Sequence, residues 1–132
     1  MATYTDAMYE VELESFEAMV RRAVSELPTG LLTRIVNLDF TVEDGARPED
    51  YGRTKTPRNA ILLGVYRGVP LTARTSGYQL TLPDRIVIFR GPLQRMARDE
   101  EHLYELVRRT THHEVAHYFG ISDARLHELD AY

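Results

Sequence analysis

The stretch "DEEHLYELVRRTTHHEVAHYFG" (residues 99–120) predicts one long helix around which the rest of the fold can be arranged. Asp99 is a good N-cap, and the two glutamates that follow it lie where the helix dipole favours carboxylates. Apolar residues recur at spacings of three and four, which indicates one buried face. Its predicted members are Leu103, Leu106, Val107, Thr110, Val115 and Tyr118. Gly120 predicts the end of the helix, because glycine tolerates the left-handed conformation found there.

Upstream of this helix the sequence predicts another helix and then a small sheet. Residues 9–27 carry an apolar stripe at helical spacing, and Pro28 and Gly30 are expected to end that helix. Strands are predicted at residues 34–44, 60–71 and 85–90. A short helical turn is expected at 93–98 and a last short helix at 123–129. This order favours an α+β class with a short twisted sheet of about three to four strands.

The stretch "GARPEDYGRTKTPRN" (residues 45–59) predicts a mobile surface loop. It contains two prolines and two glycines, few apolar residues and many charges. Its basic side chains also leave open an anion- or RNA-binding role. They are Arg47, Arg53, Lys55 and Arg58.

Composition limits the classes of function. A chain of 132 residues fits one domain, residues 1–132, and its 43% hydrophobic content can form a core without disulfides. The absence of cysteine excludes thiol catalysis and Cys-type zinc sites. The net charge of −4 gives no reason to expect a nucleic-acid partner.

The sequence shows no sign of export or membrane insertion. Residues 1–17, "MATYTDAMYEVELESFE", are acidic and lack the charged and apolar regions of a signal peptide. The longest apolar run, "AILLGVY" (residues 60–66), is far too short to cross a bilayer. We therefore expect a cytoplasmic protein without a membrane partner.

The long helix contains His113-Glu114-Val115-Ala116-His117, which matches the pattern H-E-x-x-H. Residues four apart lie on one helix face, so the two imidazoles can converge on a single Zn²⁺. Glu114 flanks the same site, and its carboxylate can take a proton from a metal-bound water without being a ligand. We therefore expect His113 and His117 to be zinc ligands and Glu114 to be the general base.

A wider frame, H-E-x-x-H-x-x-G-x-x-D, suggests a third ligand. Gly120 allows the chain to reverse after the helix, and the reversal can bring Asp123 back toward the ion as an oxygen ligand. The fourth position is then left for water. Asp123 could instead only cap the last helix, and Glu128 is the main rival for the ligand position.

The remaining histidines are expected to have other roles. His102 lies on almost the same face as His113 but about 16 Å away along the axis, so it cannot share the ion. His112 points about 100° away from its neighbour and is expected at the surface or behind the site. His127 could stabilise an oxyanion, approach the ion or serve only the fold. Other candidate oxyanion donors are Arg125 and Tyr132.

Across residues 82–129 the chain resembles the small bacterial zincin-like metallopeptidases, also called minimal zincins. The resemblance is carried by the frame that runs from His113 to Asp123. It implies a small α+β domain in which the active-site helix packs on a short twisted sheet. It also implies zinc bound by His113, His117 and Asp123, with Glu114 as base and a peptide or protein as substrate.

The same frame looks like that of metzincin peptidases, with Asp in place of the third histidine. Metzincins also have a Met-turn, but only nine residues follow Asp123 and none is Met. The strand "RIVIFR" (residues 85–90) could be an edge strand that aligns an extended peptide, or ordinary sheet core. Two alternatives to a peptidase stay open, a metal-dependent endoribonuclease-like hydrolase with the same ligand spacing and a zinc-binding module without turnover.

Overall fold

The computed structural model describes residues 9–54, 57, 59–68 and 84–121, and these form a mixed fold of helices and one sheet. The α+β class expected from the sequence is confirmed. In chain order the elements are α1 (Leu13–Ser25), α2 (Thr29–Leu32), β1 (Leu38–Glu43), α3 (Pro48–Thr54), β2 (Gly64–Arg67), β3 (Asp84–Phe89), α4 (Arg90–Met96) and α5 (Glu100–Tyr118). No helix in the described part of the chain is long and apolar enough to cross a membrane. The predicted helix at 123–129 lies outside the described residues.

Among the described residues the sheet has three strands, in the order β1-β3-β2. Strand β1 pairs with β3 in parallel, from Leu38 opposite Asp84 to Glu43 opposite Phe89. Strand β2 pairs with β3 in the antiparallel sense on its other side. The interpretation of "RIVIFR" as an edge strand is therefore wrong, and its alternative as sheet core is confirmed. All residues of β3 except Arg85 are buried, as an apolar run in a central strand requires.

The core lies between the sheet and the two long helices. Helix α5 packs on α1, β2 and β3, so it forms the centre of the fold. Its predicted buried face is confirmed except at Leu106, which is only partly buried. The fully buried apolar side chains shared by these elements include Phe16, Ala23, Ile86, Ile88, Leu103, Val107 and Tyr118.

Helix α1 begins later than its apolar stripe predicts. The backbone N–H of Tyr9 donates to the carbonyl of Gln94, and that of Val11 donates to the Gln94 side chain, at 3.1 and 2.9 Å. These bonds hold the segment before α1 in an extended path along α4.

The predicted strand at 34–44 is also shorter, because Asn37 has a left-handed φ of 57° and β1 begins only after it.

Helix α3 corrects the prediction of a mobile loop at 45–59. Pro48 occupies its first position, where the missing N–H costs nothing. The fully buried Asp50 accepts a bond from the backbone N–H of Arg47 at 2.8 Å. It also accepts two bonds from the Arg67 guanidinium, at 3.0 and 2.8 Å. The Arg67 guanidinium also donates two hydrogen bonds to the carboxylate of Glu43. This one side chain of β2 therefore connects α3 with β1.

This ion-pair cluster produces a testable effect on stability. The Asp50→Ala substitution leaves Arg67, whose side chain is only 14% exposed, without its buried partner. We expect a loss of about 2–4 kcal/mol in the free energy of unfolding at pH 7, measured by urea denaturation. Glu49→Ala, at an exposed position of the same helix, should change stability by less than about 0.5 kcal/mol. Equal effects of the two substitutions would contradict this account.

The same pair predicts a direction for the pH dependence. Burial alone would raise the pKa of Asp50, but the hydrogen bonds from Arg67 and from the Arg47 backbone outweigh it and lower the pKa overall. A depressed folded-state pKa stabilises the protein above the ordinary carboxyl range, and that contribution is lost as the pH falls through the folded value. The difference in stability between wild type and Asp50→Ala should therefore shrink below about pH 4.

Candidate metal centre

The last two turns of α5 bring His113, Glu114 and His117 together. Each can offer one ligand atom, and these three atoms lie within 4.8 Å of one another. The two imidazole rings stand edge to face, with 4.6 Å between their centroids and 66° between their planes. Two imidazoles one turn apart on one helix face, with a carboxylate beside them, make a donor set that suits Zn²⁺.

Glu114 is the buried member of this group. Only 6% of the residue is exposed, and its Oε1 lies 3.3 Å from Nδ1 of His117. That oxygen accepts no hydrogen bond of ordinary geometry from any residue that the structure describes. A buried carboxylate oxygen in this state is costly unless a cation approaches it. The residues of this site therefore fit a bound metal ion in both chemistry and electrostatics.

The residues that the sequence indicates cap both ends of α5. The Asp99 side chain accepts from the His102 backbone N–H at 2.7 Å, which confirms the predicted N-cap. At the other end Gly120 has a φ of 85°. The backbone N–H of Gly120 donates to the carbonyl of His117 at 2.9 Å. The backbone N–H of Ile121 donates to the carbonyl of Ala116, also at 2.9 Å. This Schellman arrangement ends the helix one residue after His117, and Gly120 takes the left-handed conformation that follows such a helix end.

Strand β2 packs closely against the part of α5 that carries the candidate metal centre, a feature that the sequence analysis missed. A Cβ placed on Gly64 would lie 2.9 Å from Cγ2 of Thr110, 3.1 Å from the carbonyl of Val87 and 3.4 Å from Cγ of Glu114. A side chain at this position would therefore push the helix away from the strand. The only hint in the sequence is a glycine inside a strand pattern, which often marks a close backbone approach.

Two of the other histidines, His102 and His112, lie in the described part of the chain, and each has a backbone partner. His102 lies in the first turn of α5, and its Nδ1 accepts from the Arg98 backbone N–H at 3.1 Å. His112 lies with a ring nitrogen 2.7 Å from the carbonyl of Ala23, so it joins α5 to the C-terminal end of α1. This contact adds to the packing of α5 on α1, which sets the rotation of α5 about its axis.

Several predicted site residues lie outside the described residues. They are Asp123, Arg125, His127, Glu128 and Tyr132. Three of the four basic side chains predicted at residues 45–59 are not described either, namely those of Arg53, Lys55 and Arg58. Arg47, the remaining basic residue of that loop, pairs with Glu43 at 2.8 Å.

Comparisons with known proteins find a matching family and a similar fold. The sequence model of a family described as zincin-like metallopeptidase matches residues 35–132. A solved structure of a conserved hypothetical protein from T. thermophilus is similar at a TM-score of 0.56 and 23% identity, covering 83% of this chain and 94% of that one. At that identity the likeness shows the fold alone. No curated protein matches the chain.

The close approach at Gly64 can be tested with a compensated pair of substitutions. Gly64→Ala should destabilise the protein by about 1–3 kcal/mol and weaken zinc binding, because the added methyl displaces α5 and Glu114. Adding Thr110→Ser removes the nearest methyl and should restore part of both losses. Thermal unfolding and zinc titration measure the two effects. Gly30→Ala is the control, because a Cβ at that position meets open space. An equal loss of stability in Gly30→Ala, or no recovery of stability and zinc binding on adding Thr110→Ser, would refute the packing account.

Proposed function

The chain belongs to the zincin-like metallopeptidase family, and on that premise we propose that it is a zinc-dependent peptidase with Glu114 as its general base. The observation that carries the proposal is the convergence of His113, Glu114 and His117 within 4.8 Å on α5. Family membership indicates peptide bonds as the reacting groups. We take residues 1–132 as one domain and the cytoplasm as its location, from the composition of the sequence.

The proposed zinc ligands are His113, His117 and Asp123. The two imidazoles are supported by their shared helix face and ring spacing. Asp123 is supported by the left-handed φ of Gly120, which allows the chain to turn after the helix, and by its place in the family frame. A bound zinc ion supplies a Lewis acid, which makes water nucleophilic near neutral pH and polarises a carbonyl.

Glu114 is proposed to move the protons of the reaction. As water attacks the peptide carbonyl carbon, the Glu114 carboxylate accepts one of its protons. The C–N bond then breaks, and the protonated Glu114 donates that proton to the leaving nitrogen. Its burial beside β2 limits competing hydrogen bonds from bulk water and holds the carboxylate at one side of the ligand atoms.

The strand proposed to align the substrate is β2. It has one strand neighbour, β3, in the described part of the sheet, and it runs beside the helix that carries the candidate site. Gly64 lies close to Cγ of Glu114, so a peptide paired with this strand would pass directly next to the proposed base. Backbone pairing with an edge strand binds peptides with little dependence on sequence.

The two alternatives have less support. The endoribonuclease interpretation is based on the ligand spacing and would use the basic side chains of residues 45–59 to contact phosphates. The one of these side chains that the structure describes, Arg47, is already paired with Glu43. A zinc module without turnover would share the ligands but would leave the buried carboxylate of Glu114 without a chemical role. The peptidase is therefore the function that accounts for all three convergent residues.

The role of Glu114 is tested by Glu114→Gln in the zinc-loaded protein. The variant should keep its zinc, measured by elemental analysis, but should lose peptide cleavage by about 10²–10⁴-fold, since the base is removed and the proposed ligands are not. Cleavage is measured on a mixed-sequence peptide pool by mass spectrometry. Glu101→Gln, at an exposed position of the same helix, is the control. Cleavage that survives in Glu114→Gln would rule out this mechanism.

The ligand set is tested by comparing Asp123→Ala with Glu128→Ala. We expect Asp123→Ala to lower zinc affinity by more than the roughly 10–100-fold that loss of an outer-shell partner costs. Glu128→Ala should leave the affinity within about threefold of wild type. Competition with a chromophoric chelator gives both dissociation constants. The reverse order of effects would assign the third position to Glu128.

A further inference from the structure

The outer edge of strand β1 is open in the described part of the sheet. There β1 has β3 as its single strand neighbour, over an unbroken register from Leu38 to Glu43. The strand contains no proline and no lysine, and its continuous pairing includes no bulge. Natural edge strands often carry such features, because an unprotected edge pairs with other strands. The edge of β1 is therefore suited to binding another strand.

The backbone groups of β1 alternate between β3 and this open edge. The N–H of Asp84 in β3 donates to the carbonyl of Asn37 at 3.0 Å. Every second residue from Asn37 onward therefore directs its N–H and C=O groups to β3. The N–H and C=O groups of Leu38, Phe40 and Val42 point to the open edge instead. No residue that the structure describes bonds these outward groups.

An apolar groove of about 370 Å³ lies beside this edge, between β1 and α1. Its apolar lining comes from both elements and consists of Val20, Val24, Phe40 and Val42. Two opposite charges, Glu17 and Arg21, stand one helical turn apart on the same groove. Neither forms an ion pair with another described residue. A surface that carries both charges unpaired is complementary to a copy of itself related by a twofold axis.

We propose that β1 pairs in the antiparallel sense with β1 of a second copy of this chain, so that two copies form a twofold dimer. This assembly goes beyond the peptidase function and does not depend on it. In a twofold interface the same surface of both copies meets, so Glu17 of each copy lies close to Arg21 of the other. The described strands of the joined sheet run in the order β2-β3-β1-β1-β3-β2. Strand β2 and the candidate metal centre beside it stay on the outside of the dimer.

The outward backbone groups select the register of this pairing. A twofold axis through the sheet keeps its two faces, so residues that lie opposite each other must point to the same face. When Phe40 lies opposite Phe40 of the other copy, Leu38 lies opposite Val42. Each of these opposite pairs then exchanges both of its N–H···O bonds, because all of these residues direct their backbone groups outward. Their apolar side chains cover the groove beside α1.

Charge disfavours the neighbouring register, in which Thr41 lies opposite itself. That register places Asp39 of each copy opposite Glu43 of the other, and like charges directly opposite each other destabilise a sheet. It also leaves fewer outward groups with a partner, because Thr41 directs its backbone groups to β3. The register centred on Phe40 brings Asp39 opposite Thr41 and avoids both costs.

The dimer is tested first by sedimentation velocity of the full chain. A monomer–dimer equilibrium is expected with a dissociation constant of about 1–100 µM, as suits a small interface. Arg21→Glu and Glu17→Arg should each raise that constant about tenfold, because each places like charges together twice in the dimer. An equimolar mixture of the two variants should associate like the wild type, since unlike charges meet again. Arg98→Glu, which reverses an exposed charge between α4 and α5, is the control and should leave the constant unchanged.

A second measurement tests the register by disulfide formation. The chain has no cysteine, so introduced thiols have no background. Asp39→Cys and Thr41→Cys protein are mixed in a glutathione redox buffer, and covalent dimers are counted by intact-mass spectrometry. In the proposed register the two Cα atoms lie about 4.5 Å apart, which is within disulfide reach. The mixture should give about tenfold more covalent dimer than either variant alone or than Asp39→Cys mixed with Arg98→Cys.

Each outcome decides for or against the dimer. A monomer at every concentration up to about 500 µM overturns the proposal and leaves the edge of β1 to a strand of a different protein. A dimer that both charge reversals leave unchanged, or in which the mixed cysteines do not cross-link, overturns this surface as the interface. Weakening by each reversal, recovery in the mixture and selective cross-linking support it. Peptide cleavage enters neither measurement, so failure of the peptidase and failure of the dimer are seen separately.

Discussion

The close packing of α5 on strand β2 is the constraint on which the rest of the structure depends. The helix approaches so near that a Cβ on Gly64 would clash with Cγ2 of Thr110 and would also touch Cγ of Glu114. The same helix buries Leu103, Val107 and Tyr118 against the core. Its remaining face therefore points the imidazoles of the candidate site outward. These buried side chains fix the rotation of α5 about its axis. The direction of the candidate ligands therefore follows from helix packing rather than from contacts among the ligands.

Polar contacts hold the end of this helix that carries the site. The hydroxyl of the buried Tyr118 donates to the carbonyl of Val36 at 2.9 Å and accepts from its N–H at 3.0 Å. Tyr118 also stands edge to face with Tyr66, whose hydroxyl donates to Asp84 at 2.6 Å. The residue after His117 is thus fixed to the starts of both β1 and β3. A site whose ligands must hold their geometry to a fraction of an ångström needs this support.

Local chemistry made parts of this structure predictable from the sequence. Asp99 and Gly120 bound α5 as expected because caps and stops depend on neighbouring residues. Helix α3 was missed because its stability depends on the contact of Asp50 with Arg67, which the local composition does not reveal. The central place of β3 was also uncertain, since pairing partners decide strand order. His113, Glu114 and His117 could be grouped by helical spacing alone, whereas the closeness of Gly64 to Glu114 required the tertiary fold.

The position of the site near the C-terminal end of α5 is electrostatically consistent with a cation. The last carbonyls of a helix carry a partial negative charge, which favours positive charge nearby. Glu114 adds a buried carboxylate whose Oε1 accepts no hydrogen bond from the described residues. Burying such a group costs stability unless an opposite charge compensates it. A metal ion held by the imidazoles would supply that charge, so the feature that is unfavourable for folding alone becomes favourable in the metal-bound protein. The same burial limits the access of bulk water to the carboxylate, which favours its proposed role as a proton acceptor beside a peptide bond.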